Sequence, residues 1–314
     1  MTARQEKAVE RLLPAGRDVT FAEIEVTLAR LVRDGRRKRG PARALTATVI
    51  AIGNPERLVA AADALEQLGE TGGVRAILIS EGEHTSPVAR VTENAIAISG
   101  LSPRYLNNAV AALRLSSLPS LVWWRGGSIE ALDGLANLAD RLVLDIEHPD
   151  AVWARADTLF DRTALTDLRW TRLTRWRSAV AHLFDLPQVR AAAAGLRSLS
   201  IDTTDVFAAR LFAGWLTARL RWSSSVAIDI RVVEGDIATP LARVTAAGDG
   251  LGLSLGVRSG TSCLEASVDG AEATARIVPL GDGTLASLIG EELGVRTRDL
   301  AFEQALVAAR EISA

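Results

Sequence analysis

Apolar residues along this chain change their spacing more than once, and each change marks a different kind of structure. Phe21, Ile24, Leu28, Leu31 and Val32 recur at steps of three, four, three and one, the stripe of an amphipathic helix. Thr20 and Glu23 stand three apart ahead of it as a capping box, so a helix is expected over 21–33. It is expected to stop at Asp34-Gly35. The basic run Arg36-Arg37-Lys38-Arg39 with Gly40-Pro41 then reads as a linker, with an anion or partner contact as the alternative.

From Leu45 the pattern becomes short apolar runs separated by helical periods. Strands are expected at 46–52 (TATVIAI), 74–79 (VRAILI), 94–98, 120–124 and 141–145. Helices are expected at 55–68, 104–115 and 128–138, the first started by Asn54 as N-cap and Pro55 in the first turn. Alternating strand and helix favour an open, mostly parallel sheet covered on both faces. After residue 163 the order is different. Helices over the tryptophan- and arginine-rich segment and over 205–222 precede strand runs at 226–233, 241–246, 250–257, 263–268 and 273–278. Gly248-Asp249-Gly250 and Asp269-Gly270 mark tight turns, and helices at 285–293 and 299–312 close the pattern. The fold class is therefore α/β plus α+β: an N-terminal open, mostly parallel sheet flanked by helices, then a mainly antiparallel sheet with helices. The expected division is 1–40 as a helical segment and basic linker, 41–162 as the α/β domain and 163–314 as the α+β domain.

Segment 167–177, DLRWTRLTRWR, sets Trp170 and Trp176 among Arg169, Arg172, Arg175 and Arg177. Leu173, Trp176, Val180, Leu183 and Phe184 share one helical face, and the arginines lie largely off it. Two readings are open: a core helix with a solvated basic face, or a docking surface, because Trp and Arg dominate the energetic centres of protein interfaces. Trp123 and Trp124 are adjacent on an expected strand, so their rings point to opposite faces. Arg125-Gly126-Gly127 follows, ahead of Ser128 at a helix start, where an arginine beside a glycine turn could hold an anion or a partner's acidic group.

Composition narrows the functions. Hydrophobic residues at 48% and charged residues at 24% are ordinary for a globular protein. A net charge of -2, from 36 basic and 38 acidic residues, argues against nucleic acid as the main partner. No apolar leader opens the chain and no run of about 18 apolar residues occurs, so the expectation is a cytoplasmic protein with no membrane partner. Cys263 is the one cysteine, which excludes an intrachain disulfide and a cysteine zinc site, and its strand setting reads as a small buried hydrophobe. His84, His148 and His182 have no helical metal spacing, and no metal or cofactor is expected. The first strand of the α/β part ends in Gly53-Asn54-Pro55 rather than a glycine-rich phosphate turn, and no G-x-S-x-G elbow is present. Asp145 and Glu147 at a strand's carboxyl end are a weak catalytic signal. The pattern is an enzyme-like fold without enzyme equipment.

LPSLVWWRG at 118–126 and DLRWTRLTRWR at 167–177, in this order and with ADRLVLD at 139–145 between them, resemble the two signature stretches of the OpcA family, the glucose-6-phosphate dehydrogenase assembly proteins. The resemblance runs over roughly residues 40–310 and leaves out the N-terminal helix and basic run. It implies a non-catalytic partner that binds glucose-6-phosphate dehydrogenase and favours its assembly or active state in the oxidative pentose phosphate pathway. Under that reading Trp124, Arg125, Trp170, Arg172, Trp176 and Arg177 are the expected partner-binding residues, chosen for their chemistry. Cysteine-based redox control has been associated with some members. With Cys263 alone, an intrachain switch cannot operate here. The competing readings are a regulator that senses a sugar phosphate or nucleotide near 125–128, and an enzyme with an unfamiliar site.

Overall fold

The computed structural model of the chain describes residues 3–39, 44–84, 87–222, 226–235, 239–269, 276–295 and 297–313. The first elements are α1 (Ala3–Leu12), β1 (Arg17–Val19), α2 (Ile24–Arg39), β2 (Ala47–Gly53), α3 (Pro55–Gly72), β3 (Val74–His84), β4 (Val88–Val91) and β5 (Ala95–Leu101). Next come α4 (Pro103–Leu113), β6 (Ser120–Trp124), α5 (Leu132–Ala136), β7 (Arg141–Leu144), α6 (Asp150–Trp153), α7 (Ala156–Phe160) and β8 (Ala164–Asp167). The remainder holds α8 (Leu168–Arg172), α9 (Thr174–Phe184), α10 (Pro187–Ala192), β9 (Leu196–Thr203), α11 (Val206–Leu220), β10 (Ala227–Val232) and β11 (Leu241–Gly248). It ends with β12 (Leu251–Val257), β13 (Cys263–Val268), β14 (Arg276–Pro279), α12 (Leu285–Gly294) and α13 (Leu300–Arg310). These gather into two compact units. One comprises Met1–His148, Arg155–Thr166 and Ile289–Arg298; the other comprises Pro149–Ala154, Asp167–Leu288 and Asp299–Ala314.

The first unit is built on an eight-stranded sheet of order β1-β4-β5-β3-β2-β6-β7-β8. β5, β3, β2, β6 and β7 pair in parallel, and β4 and β1 continue the β5 side antiparallel. Every residue of β2 and of β6 is buried, as continuous apolar runs between two helical layers require. Trp123 and Trp124 leave β6 on opposite faces and both are core, 0% and 2% exposed. α3 begins as its sequence dictates: the Asn54 carboxamide oxygen accepts from the Arg57 amide at 2.9 Å, with Pro55 in the first turn.

The capping box is present, with the Glu23 carboxylate accepting from the Thr20 amide at 2.9 Å, and it opens a 3-10 turn that leads into α2. The linker reading of the basic run is corrected. α2 continues through a buried Gly35 to Arg39. Arginine and lysine are good helix formers, and one interior glycine costs only about 1 kcal/mol. Gly40 and Pro41 lie outside the described residues, as do Gly270 of the second expected turn and 273–275 of the last expected strand. The helix expected over 128–138 is instead a 3-10 turn followed by five α-helical residues.

The second unit carries a six-stranded sheet of order β10-β9-β11-β12-β13-β14. β9 pairs parallel with β10 and antiparallel with β11, and the remaining pairs are antiparallel. The chain thus combines a mostly parallel N-terminal sheet with a mainly antiparallel C-terminal one, both flanked by helices. α11 packs on β9 and β10, and α9 packs on β13 and β14. Cys263 is half-buried rather than fully enclosed. No helix among the described residues is long and apolar enough to cross a membrane.

α11 and α13 touch through their backbones at Gly214. A Cβ there would land on the Ala305 carbonyl oxygen and come within 2.7 Å of the Ala309 nitrogen. Gly214→Ala is therefore expected to destabilise the protein by about 1–3 kcal/mol, despite alanine's higher helix propensity. A denaturation midpoint at or above that of the wild type would show that the crossing gives way easily.

Candidate functional site

The carboxyl edge of the parallel sheet is where ligands bind in open α/β folds. Here several side chains at that edge pair with one another. Arg125 leaves the end of β6 and meets the Asp145 carboxylate at 2.9 Å, while its guanidinium lies over the Trp123 ring, 4.8 Å from the centroid. Asp145 also accepts the Trp123 indole N–H at 3.1 Å. Arg125 and Arg57 each donate to the other's backbone carbonyl, and Arg57 pairs with Glu147 at 2.8 Å. Asp145 and Glu147, the weak catalytic signal, are thus ion-pair partners of the two arginines. Arg125 is buried, and its charge is paired with Asp145.

The Gly126-Gly127 turn is also occupied from within. Glu81 follows an irregularity in β3 pairing, and its carboxylate accepts the Ser128 amide at 2.9 Å. Gly127 has φ +129°, a conformation that favours glycine, and a Cβ there would stand 2.6 Å from a Glu81 oxygen. Burial pushes the Glu81 carboxyl above its ordinary value of 4.5; the Ser128 amide opposes the shift and Glu130 adds to it. An acid with a raised folded-state pKa is favoured while protonated, and the penalty enters as pH rises through that raised value. Glu81→Gln keeps an acceptor for Ser128 and removes the charge. Its stability relative to the wild type is expected to grow as pH rises above about 4.5 and then to level off. Urea midpoints of both proteins from pH 4 to 8 measure this, and a constant difference would contradict it.

The tryptophan- and arginine-rich segment belongs to the second unit and starts at a buried acid. Asp167 ends β8 and caps α8, its carboxylate accepting from the Arg169 amide at 3.0 Å and from the Trp153 indole at 3.2 Å. Desolvation raises its pKa, while the nearby Arg169 charge and amide lower it. Arg169 then reaches Asp205 at 2.6 Å. The other Asp205 oxygen caps α11 at the Phe207 and Ala208 amides. Trp170 makes the parallel connection: its indole donates to Asp299 at 2.8 Å, and the other Asp299 oxygen caps α13 at the Ala301 and Phe302 amides. The Trp170 ring packs on Phe302, and Arg169 lies over Phe207. Two consecutive residues of the segment therefore each hold the N-terminal cap of a different helix.

Of the residues expected to bind a partner, Trp124, Trp170 and Trp176 are core, at 2%, 2% and 0% exposure. Arg177 stacks on Trp170 with its guanidinium carbon 3.5 Å from the ring centroid and donates to the Trp170 carbonyl. Arg172 and Arg177 are half-buried and Arg175 is exposed. Trp124 and Arg125 belong to the first unit, the others to the second. Sequence reasoning missed Trp153, Asp167, Asp205 and Asp299. The visible signal for the last two was an aspartate one residue ahead of each apolar helical run, the N-cap position. A cavity of about 370 Å³ in the first unit opens among Arg114, Ser116, Ser120, Asp140 and Val295, at the amino ends of β6 and β7 rather than at the ligand edge.

Residues 163–306 match the family model described as the C-terminal domain of a glucose-6-phosphate dehydrogenase subunit. The chain is 28% identical over 195 residues to a Synechocystis protein named OxPP cycle protein OpcA, covering 56% of this chain and 39% of that one. A Nostoc punctiforme protein of the same name is 28% identical over 187 residues, covering 55% of this chain and 39% of its own length. The match thus spans well under half of each relative. In fold, the chain resembles the super-repressor mutant of Gal80p from Saccharomyces cerevisiae, with TM-score 0.50 and 11% identity over 84% of this chain and 93% of that one.

Proposed function

We propose that the chain is an OpcA-family protein, matched through residues 163–306, and a non-catalytic accessory protein that binds glucose-6-phosphate dehydrogenase and promotes its assembly or allosteric activation in the oxidative pentose phosphate pathway. The observation that carries this reading is the match of residues 163–306, most of them in the second unit, to a domain described as the C-terminal domain of a subunit of that dehydrogenase, beginning just before the Asp167–Arg177 segment. The pairing at the carboxyl edge of the parallel sheet is in keeping with it, since Arg125 meets Asp145 and the glycine turn meets Glu81. In this role Trp170 and Trp176 support the contact surface from beneath, and Arg172 and Arg177 lie at it. Trp124 and Arg125 hold the first unit's carboxyl edge in shape.

An activator works by binding the active form of its target more tightly than the inactive form. The test is the rate of the dehydrogenase from the same source against glucose-6-phosphate concentration, with and without this protein. A saturable rise in rate or apparent affinity is expected. Identical curves at saturating concentrations of this protein would overturn the reading.

A further inference from the structure

The arginines of this structure are mostly matched to acids where they are buried: Arg75 to Glu25, Arg125 to Asp145, Arg141 to Glu292, Arg169 to Asp205 and Arg210 to Asp150. Arg172 departs from that pattern. It is half-buried, its Nε is shut off from solvent without an acceptor, and no carboxylate among the described residues pairs with it. Arg175, three positions on, is exposed and equally without an acid among the described residues. No Asp or Glu occurs anywhere in 168–184, which carries Arg169, Arg172, Arg175 and Arg177. Arg169 is held by Asp205, and Arg177 by the Trp170 ring and carbonyl.

Two groups of cations therefore sit side by side on this segment, one used internally and one not. Leu173, at φ −82° and ψ −2°, keeps α8 and α9 close to one continuous helical path, so residues three apart are surface neighbours. A buried donor without an acceptor costs free energy comparable to a lost hydrogen bond, and a partly desolvated guanidinium attracts an anion more strongly than a fully hydrated one. The underlying Trp170 and Trp176 are fixed by packing, so the helix that presents Arg172 and Arg175 is rigid before any partner arrives, which lowers the ordering cost of binding.

We propose that Arg172 and Arg175 form the acid-recognition patch of the partner interface, taking a pair of carboxylates on the surface of the dehydrogenase, with Arg172 as the bidentate anchor. This rests on the accessory reading above. The guanidinium fork matches a carboxylate in geometry as well as charge, so lysine at Arg172 replaces the charge without the fork.

The experiment is calorimetric titration of the dehydrogenase with the full chain, as wild type, Arg172→Gln, Arg172→Lys, Arg175→Gln and Arg243→Gln, at low and at moderate salt. Arg243 is an exposed arginine of β11 and controls for loss of one positive charge. Arg172→Gln is expected to weaken binding at least about tenfold, Arg172→Lys and Arg175→Gln by less, and Arg243→Gln hardly at all. The salt dependence is expected to shrink in the Arg172 and Arg175 variants. If wild type binds and these variants match Arg243→Gln, the patch is wrong and the accessory reading stands. If wild type itself does not bind, the accessory reading falls and takes the patch with it. Arg175 is exposed and its loss leaves the core untouched, so Arg175→Gln decides the matter even if Arg172→Gln folds poorly.

Discussion

Replacing Trp170 with alanine is expected to destabilise the protein by about 3–5 kcal/mol, the range for removing a buried tryptophan. Three contacts go at once: the indole bond to Asp299, the packing on Phe302 and the Arg177 stack. Asp299 keeps its capping bonds to α13 but loses the donor that fixes its orientation. Trp170→Phe separates these effects. It keeps a six-membered ring and a face for Arg177 but loses the N–H to a carboxylate and the volume of the second ring, so a loss of about 1.5–3 kcal/mol is expected. Chemical denaturation followed by circular dichroism measures both. If instead Trp170→Ala keeps wild-type stability and loses only dehydrogenase binding, Trp170 is a contact residue and its buried position does not describe the working protein.

Breaking the Arg141–Glu292 pair is the second large effect. Both side chains are buried, at 6% and 5% exposure, and the pair closes at 2.9 Å. Arg141 also donates to the Val295 and Thr297 carbonyls, so one side chain fastens a distant stretch of sequence to the start of β7. Arg141→Ala takes the paired cation away from the buried Glu292 and removes the donor to the Val295 and Thr297 carbonyls, and a loss of about 3–5 kcal/mol is expected. Arg141→Met with Glu292→Leu removes both charges and is expected to recover most of that loss, because the desolvation cost disappears along with the attraction. Urea midpoints of the single and double variants decide it. Equal instability in both would mean that packing, rather than charge burial, holds this stretch in place.

How far the sequence could be read differs from one element to the next. β2, β6 and the start of α3 were legible because their signals are local: an unbroken apolar run, or Asn54-Pro55 ahead of a helical period. β9 carried a weaker, interrupted signal in Leu196, Leu199, Ile201 and Thr203, which are its buried positions, and it was missed among neighbouring helices. That omission also hid the one parallel pair of the second sheet, β9 with β10. The short strands β1, at the sheet edge, and β4, beside it, were illegible for a physical reason: three or four residues give too little periodicity to stand out. At the candidate site, the residue types of 167–177 were visible and their direction was not. Arg169 pairs 36 residues away and Trp170 bonds 129 residues away, distances over which no local pattern carries information.

The two connections change what the segment means. Trp170 and Trp176 looked like interface anchors because of their chemistry, and the fold uses them as core. A buried signature can still define a family's surface by fixing the helix on which Arg172, Arg175 and Arg177 stand. The proposed function then depends on a small set of cations rather than on exposed aromatic area. It follows that variants in the core should act on binding through folding, and variants of the exposed Arg175 on binding alone.

The central claim is physical association with the dehydrogenase, and the most direct test is light scattering on the two proteins mixed after separate purification, each as its full chain. The expected result is a species whose mass exceeds that of either protein and which contains both, forming at micromolar concentration and weakening as salt rises. Two separate peaks at their individual masses, with both proteins folded and at low salt, would contradict the account.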